Sequence, residues 1–175
     1  PIEKLASYQP AGIVLSGGPS SVTAKNAPRC DQRIFELGIP VLGICYGMQL
    51  GCEILGGTIE AAHAREYGRS VLKVLDATGL FRGMPTDTAA WMSHGDQVEI
   101  VGEEFNILAE TATCPLAAVS HKTIPFYGVQ FHPEVTHTPH GVELLRNFLY
   151  EICGIKGTWR MADFMEAQCE QLRKI

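Results

Sequence analysis

The chain has 175 residues, of which 46% are hydrophobic and 19% charged, with a formal net charge of −5. That length and apolar content predict one domain with a packed core. There is no lysine/arginine run or basic stripe with interleaved aromatics, and no apolar stretch near the ~20 residues of a membrane helix, which excludes nucleic-acid binding and a membrane span.

Six scattered cysteines (30, 45, 52, 114, 153 and 169) contain no C-x-x-C pair. They predict neither a disulfide framework nor a zinc motif, and a reduced, cytoplasmic setting fits them. No signal-peptide pattern is visible. The six histidines show no H-x-x-x-H spacing, so no metal site is expected.

In chain order, residues 1–9 read as a short helical or connecting segment. Residues 12–16 form a buried strand that runs into Ser16-Gly-Gly-Pro-Ser20. Two glycines and a proline directly after a strand expose backbone N–H groups that can cradle an oxyanion; an ordinary strand-ending turn has the same composition. Residues 31–37 read as a helix stopped by Gly38 and Pro40. Val41, Leu42 and Ile44 then form a buried strand, and residues 46–55 a helix ending at Gly56-Gly57.

Cys45 therefore lies on a strand-to-helix turn, and Gly43-Ile-Cys-Tyr-Gly47 is the cysteine form of the nucleophile elbow. The flanking glycines avoid a backbone collision, and a strained Cys45 backbone is expected. The positive end of the following helix should lower the thiol pKa. A buried, inert core cysteine is the plainer reading of this stretch alone.

Between residues 58 and 124 the texture turns to short β segments, near 70–75, 89–92, 98–100, 105–111 and 116–120. Ser93-His-Gly-Asp96 reads as a polar turn, with His94 structural or catalytic. Residues 126–131 form another strand, followed by His132-Pro-Glu134. Pro133 holds His132 extended, and Glu134 can keep one ring nitrogen protonated so that the other serves as base. With Cys45 this is a candidate Cys-His-Glu triad. Thr138 and Pro139 suit the start of a helix running to about Cys153. After the joint at Gly154–Gly157, Thr158 caps a last helix through Leu172, with Met161, Phe164, Met165 and Leu172 on one face.

Gly17-Gly-Pro19, Gly43-Ile-Cys-Tyr-Gly47 and Phe131-His-Pro-Glu134, in this order, resemble the class I (triad-type) glutamine amidotransferases. Cys45-Tyr-Gly-Met-Gln49, Trp91-Met-Ser-His-Gly-Asp96, Phe131-His-Pro-Glu-Val-Thr-His-Thr138 and the tail through Trp159 narrow the likeness. They resemble the members that supply ammonia to an ATP-dependent synthetase acting on XMP. The resemblance implies an α/β fold: a mostly parallel, twisted, flavodoxin-like sheet with flanking helices and a smaller mixed or antiparallel β extension. Relative to the family the leading βαβ portion is missing, so residues 1–154 are expected to be an N-terminally incomplete amidotransferase domain. Residues 155–175 would be a connector to a synthetase domain.

The same resemblance implies the roles. Cys45 is the nucleophile, and His132, oriented by Glu134, is the general base and acid. The backbone N–H groups of Gly18 and Tyr46 hold the oxyanion. Gly17, Gln49 and the segment Ser93, His94, Gly95 and Asp96 hold L-glutamine. No cofactor is expected in this domain; ATP, magnesium and XMP would bind the ATP-pyrophosphatase partner, and a dimer is a further expectation for the complete enzyme. Two alternatives stay open at this level: another triad amidotransferase or γ-glutamyl hydrolase, and an inactive regulatory module of the same fold.

Overall fold

The computed structural model describes residues 2–158 and 160–173. One seven-stranded sheet is flanked by helices on both faces. Helix α1 (Ile2–Tyr8) leads into β1 (Ile13–Leu15), and a 3₁₀ turn (Gln32–Glu36) precedes β2 (Val41–Ile44) and α2 (Tyr46–Ile54). Strands β3 (Thr58–Val74), β4 (Asp87–Ile100), β5 (Phe105–Glu110), β6 (Ala118–His121) and β7 (Phe126–Val129) follow, then α3 (Gly141–Arg146) and α4 (Met161–Leu172). The strand order is β1-β2-β7-β6-β5-β3-β4.

The sheet has two characters. β1, β2 and β7 run parallel, whereas β7 with β6, β6 with β5, β5 with β3, and β3 with β4 pair antiparallel. The α/β reading holds, but the antiparallel part is a continuous arm of the same sheet and the larger share of it. Its length comes from β3 and β4, of 17 and 14 residues. The segments expected near 89–92 and 98–100 are one strand, so Ser93–Asp96 is a stretch of β4 rather than a turn. Its polar residues pair across to β3, where Glu66 lies opposite His94 and Ala61 opposite Asp96. Between those pairs the register shifts, so residues 62–65 bulge opposite Gly95.

β2 is buried at every position, as a central parallel strand requires. Its alternating side chains feed two cores. Val41 packs with Phe35, Met48 and Phe126 under α2, while Leu42 and Ile44 pack with Phe81, Phe131, Leu144 and Phe148 under α3. The expected helix at 31–37 is a single 3₁₀ turn capped by Asp31, which accepts from the Arg33 backbone N–H at 3.0 Å.

The third helix starts later than its sequence suggests. Thr138 is buried instead of capping; its Oγ1 donates to the His132 carbonyl at 2.7 Å and accepts from the Trp91 N–H at 3.0 Å. After α3 the chain widens into a π-helical turn (Asn147–Ile152) and stops at Gly154, whose φ is +67°. α4 begins at Met161, so Thr158 lies ahead of it, and Trp159 lies outside the described residues. Met161, Phe164, Met165 and Leu172 are all exposed. Among the described residues no helix is long and apolar enough to cross a membrane.

Candidate active site

β1, β2 and β7 end side by side, and the loops that leave them meet over one cavity of about 670 Å³. It is lined by Gly18, Cys45, Tyr46, Gln49, the Ser93–Asp96 stretch and His132, among others. The predicted residues thus converge, although 87 positions separate Cys45 from His132.

The elbow has the strain its sequence suggests. Cys45 has φ +50° and ψ −106°, an unfavourable region for a non-glycine residue, which costs about 1–3 kcal/mol. Its N–H donates to the Val129 carbonyl at 2.8 Å and its carbonyl accepts from the Gln49 N–H at 3.1 Å, so strand and helix hold the turn from both sides. The flanking glycines leave no room for a side chain. A Cβ on Gly43 would lie 2.6 Å from the Gly47 backbone, and one on Gly47 would lie 2.0 Å from the Leu15 carbonyl oxygen of β1.

The sulfur is less acidic than the helix N-terminus alone would make it. Burial pushes the Cys45 thiol above its ordinary value and the Glu134 charge adds to that, against hydrogen bonds from the Tyr46 N–H and the Gln130 amide. The expected lowered pKa is therefore corrected: desolvation by the cavity walls outweighs the helix end. The resting sulfur is a thiol, which approaches the Ser93 carbonyl at 3.8 Å while Gln130 Nε2 donates to Sγ at 3.6 Å.

His132 stands beside this thiol. A Cβ on Gly17 would lie 3.0 Å from His132 Cε1 and 3.6 Å from Cys45 Cβ. Gly17 is thus the gap in which imidazole and cysteine share space, a steric duty not evident from its place in a glycine loop. Glu134 Oε1 lies 2.7 Å from His132 Nδ1. A carboxylate accepts, so Nδ1 carries the hydrogen and Nε2 is the free base nitrogen. Among the described residues no hydrogen bond joins Cys45 Sγ to this ring; both groups face the cavity separately.

The cavity wall around Gln49 and Ser93–Asp96 is tied from behind. Gln49 Nε2 donates to the Asp96 carbonyl at 2.7 Å and to Gln130 Oε1 at 3.1 Å. The amide nitrogen of Gln49 is thereby consumed, which leaves its Oε1 for a ligand. His94 is 4% exposed. Its ring lies between the Asp96 carbonyl at Nδ1 (3.1 Å) and Glu66 Oε2 at Nε2 (3.4 Å), which makes it a wall residue and not an alternative triad base. Burial lowers the pKa of this ring.

Sequence reasoning misses Gln130, Glu66 and Thr138. Gln130 is fully buried and links Cys45 to Gln49; a glutamine inside the apolar run 126–131 is the available signal. Glu66 and the inward role of Thr138 carry none, because their partners are distant in sequence.

The chain matches the family Glutamine amidotransferase class-I over residues 1–152. It is 49% identical to GMP synthase [glutamine-hydrolyzing] of Caldanaerobacter subterraneus subsp. tengcongensis over 171 residues, which covers 98% of this chain and 33% of that protein. The protein of the same name from Thermosynechococcus vestitus is 50% identical over 171 residues, 98% of this chain and 32% of the relative. The chain thus spans about a third of the length of the curated relatives it matches. Among solved structures, a candidate GMP synthase subunit from Thermoplasma acidophilum superposes with a TM-score of 0.66 at 34% identity, covering 77% of this chain and 63% of that one. A glutamine amidotransferase of Thermotoga maritima matches the fold with a TM-score of 0.62 at 19% identity, over 70% of this chain and 66% of its own.

Proposed function

The chain belongs to the class I glutamine amidotransferases, and from that premise we propose that it is the glutaminase part of a GMP synthase. It removes ammonia from L-glutamine for the ATP-dependent amination of XMP. The observation that carries this reading is the strained Cys45 elbow sharing one cavity with His132, whose Nδ1 is held by Glu134 at 2.7 Å.

In this reading His132 Nε2 takes the thiol proton as Cys45 attacks the side-chain amide carbon of glutamine. The N–H groups of Gly18 and Tyr46 receive the oxyanion, a contribution of about 3–4 kcal/mol per donor. His132 returns the proton to the departing nitrogen, and ammonia leaves behind a glutamyl thioester. A water molecule, deprotonated by the same ring, then hydrolyses the thioester to glutamate and restores the thiol. Burial raises the Cys45 thiol pKa, so the attack requires His132 as the proton acceptor. Gly17, Gln49, Ser93, His94, Gly95 and Asp96 shape the glutamine site, chiefly through backbone groups.

Residues 1–154 form the amidotransferase unit in this proposal and 155–175 the connector. The apolar, exposed face of α4 suits contact with an ATP-pyrophosphatase synthetase domain, which would bind ATP, magnesium and XMP. The six free cysteines favour a reducing cytoplasm.

The test measures glutamate and ammonia release by this chain, alone and with a separately made synthetase domain loaded with XMP, ATP and magnesium. Glutamine hydrolysis that is lost in Cys45→Ala, with ammonia-dependent GMP formation retained by the mixture, is the expected result. Equal loss with glutamine and with ammonia would overturn the role of Cys45. Glutamine hydrolysis without transfer to XMP would overturn the assignment of the acceptor.

A further inference from the structure

We propose that Glu66, His94 and Cys114 bind a divalent transition-metal ion, Zn²⁺ by their ligand chemistry, through Oε2, Nε2 and Sγ. The three groups come from separate elements: Glu66 from β3, His94 opposite it on β4, and Cys114 from the loop between β5 and β6. No linear motif joins them, which is why histidine and cysteine spacing predicts no metal here.

Glu66 Oε2 and His94 Nε2 face each other at 3.4 Å inside the protein. The Asp96 carbonyl can only accept, so His94 Nδ1, 3.1 Å away, carries a hydrogen. In the neutral ring Nε2 then presents a lone pair towards Glu66 Oε2 at 3.4 Å. Neither atom has a hydrogen-bond partner, and the two side chains are only 1% and 9% exposed. Glu66 Oε1, by contrast, accepts from Ser70 (3.2 Å), Thr111 (3.0 Å) and Thr113. One carboxylate oxygen is thus fully served while the other faces a second acceptor, away from water. A cation between them serves both atoms.

Cys114 supplies a third ligand. Its Sγ, one ring nitrogen of His94 and one carboxylate oxygen of Glu66 all lie within 4.8 Å of one another. Tetrahedral zinc, with bonds of about 2.0–2.3 Å, holds its ligand atoms roughly 3.3–3.8 Å apart, so a pair at the 4.8 Å limit would contract by about 1.0–1.5 Å. Nitrogen, sulfur and carboxylate oxygen together suit zinc better than magnesium or calcium. Without an ion, burial and the Glu66 charge push the Cys114 thiol up to about 12. Binding releases that proton to solvent, and Zn²⁺ with one thiolate and one carboxylate makes a neutral buried centre.

Each ligand is also held from behind, as metal ligands are. His94 has the Asp96 carbonyl, Glu66 has its hydroxyls, and the Cys114 N–H donates to Thr111 Oγ1 at 3.0 Å. The Asp96 carbonyl that orients His94 also accepts from Gln49 Nε2 at 2.7 Å. An ion at this place would therefore clasp β3, β4 and the β5–β6 loop behind the cavity wall.

The test uses the full chain carrying Cys45→Ala, so that the catalytic thiol cannot compete, with Co²⁺ as the probe after removal of bound metal. A thiolate-to-cobalt band in the near ultraviolet and tetrahedral visible bands should saturate at about one ion per chain and be displaced by Zn²⁺. Adding Cys114→Ser should abolish the near-ultraviolet band and weaken binding at least about tenfold. Glu66→Gln should keep the band with weaker binding. Should either variant fail to fold, X-ray absorption of the Zn²⁺-loaded parent still decides, since the proposal requires one sulfur in the shell. Absence of the thiolate band, an undiminished band in Cys114→Ser, or a shell without sulfur overturns it. So does a His94 Nε2 found protonated by ¹⁵N NMR in excess Zn²⁺, which would identify a buried imidazolium–carboxylate pair instead.

Discussion

In the parallel half of the sheet, strands of three or four residues end abruptly in glycine-bearing loops or in the His132-Pro-Glu134 segment. In the antiparallel arm, β3 and β4 run for 17 and 14 residues, and their functional stretch lies in mid-strand. The first region places Cys45 and His132 at strand ends, where a turn can aim a side chain out of the sheet. The second supplies a wall, and it does so through register: Glu66 meets His94 only because residues 62–65 bulge past Gly95. Chemistry is tied to local backbone shape in one half and to long-range pairing in the other.

Alanine at one glycine from each half should break that comparison if it is wrong, and this is the largest effect expected. In Gly47→Ala the new Cβ would meet the Leu15 carbonyl oxygen at 2.0 Å, where backbone faces backbone and nothing flexible can yield. A loss of about 3 kcal/mol or more is expected, enough to leave little folded protein. In Gly95→Ala the nearest atom is Tyr67 Oη at 3.7 Å, an ordinary contact, and stability should change by no more than about 0.5 kcal/mol. Urea midpoints of the two variants measure this. Comparable losses would mean that the close-packed elbow is not what sets the sterics of the parallel half.

Gln130→Leu sharpens the comparison, because Gln130 joins the halves: Cys45 Sγ on one side, and Gln49 with the Asp96 carbonyl on the other. Leucine matches the buried site in size but donates nothing to sulfur. Glutaminase kcat should fall about tenfold or more, as for loss of a hydrogen bond worth roughly 1.5 kcal/mol. The pH midpoint for alkylation of Cys45 should rise, since the amide stabilises the thiolate. A lower kcat with an unchanged alkylation profile would assign Gln130 to packing alone.

The same contrast explains what the sequence makes legible. The elbow and the His132–Glu134 pair are readable because each geometry lies within a few residues of its steric cause. Cys45 does have a positive φ, and Gly43 and Gly47 do lack room. Ser93–Asp96 reads as a turn because four polar residues after an apolar strand resemble one; only pairing with β3 shows it to be strand. Thr138 and Pro139 look like a helix start in isolation, yet Thr138 is drawn inward to hold the His132 carbonyl and the Trp91 N–H. The thiol acidity is misjudged from sequence for the same reason. A helix N-terminus is local and visible, whereas the burial that outweighs it comes from walls contributed by distant strands.

The raised Cys45 thiol gives the smallest effect and the most direct view of how one half acts on the other. If the antiparallel wall keeps Cys45 dry, its thiol in the folded chain titrates above its ordinary value of about 8.5. In the absence of glutamine, the alkylation rate of Cys45 by a small neutral reagent should still be rising at about pH 9, with no plateau below pH 7. The stability linked to this group is fully present below about pH 8.5 and is lost as pH climbs towards the folded value, because the unfolded chain releases the proton first. Relative to Cys45→Ala, the parent should therefore lose stability between about pH 8.5 and 10, by less than the limit of about 1.4 kcal/mol per pH unit for one group. Urea unfolding of both chains at several pH values measures the difference. If the parent instead gains stability over Cys45→Ala as pH rises from about 6 to 8.5, the sulfur is a thiolate in the resting fold. The helix end and the Gln130 amide would then outweigh the wall, and substrate would meet a nucleophile already charged.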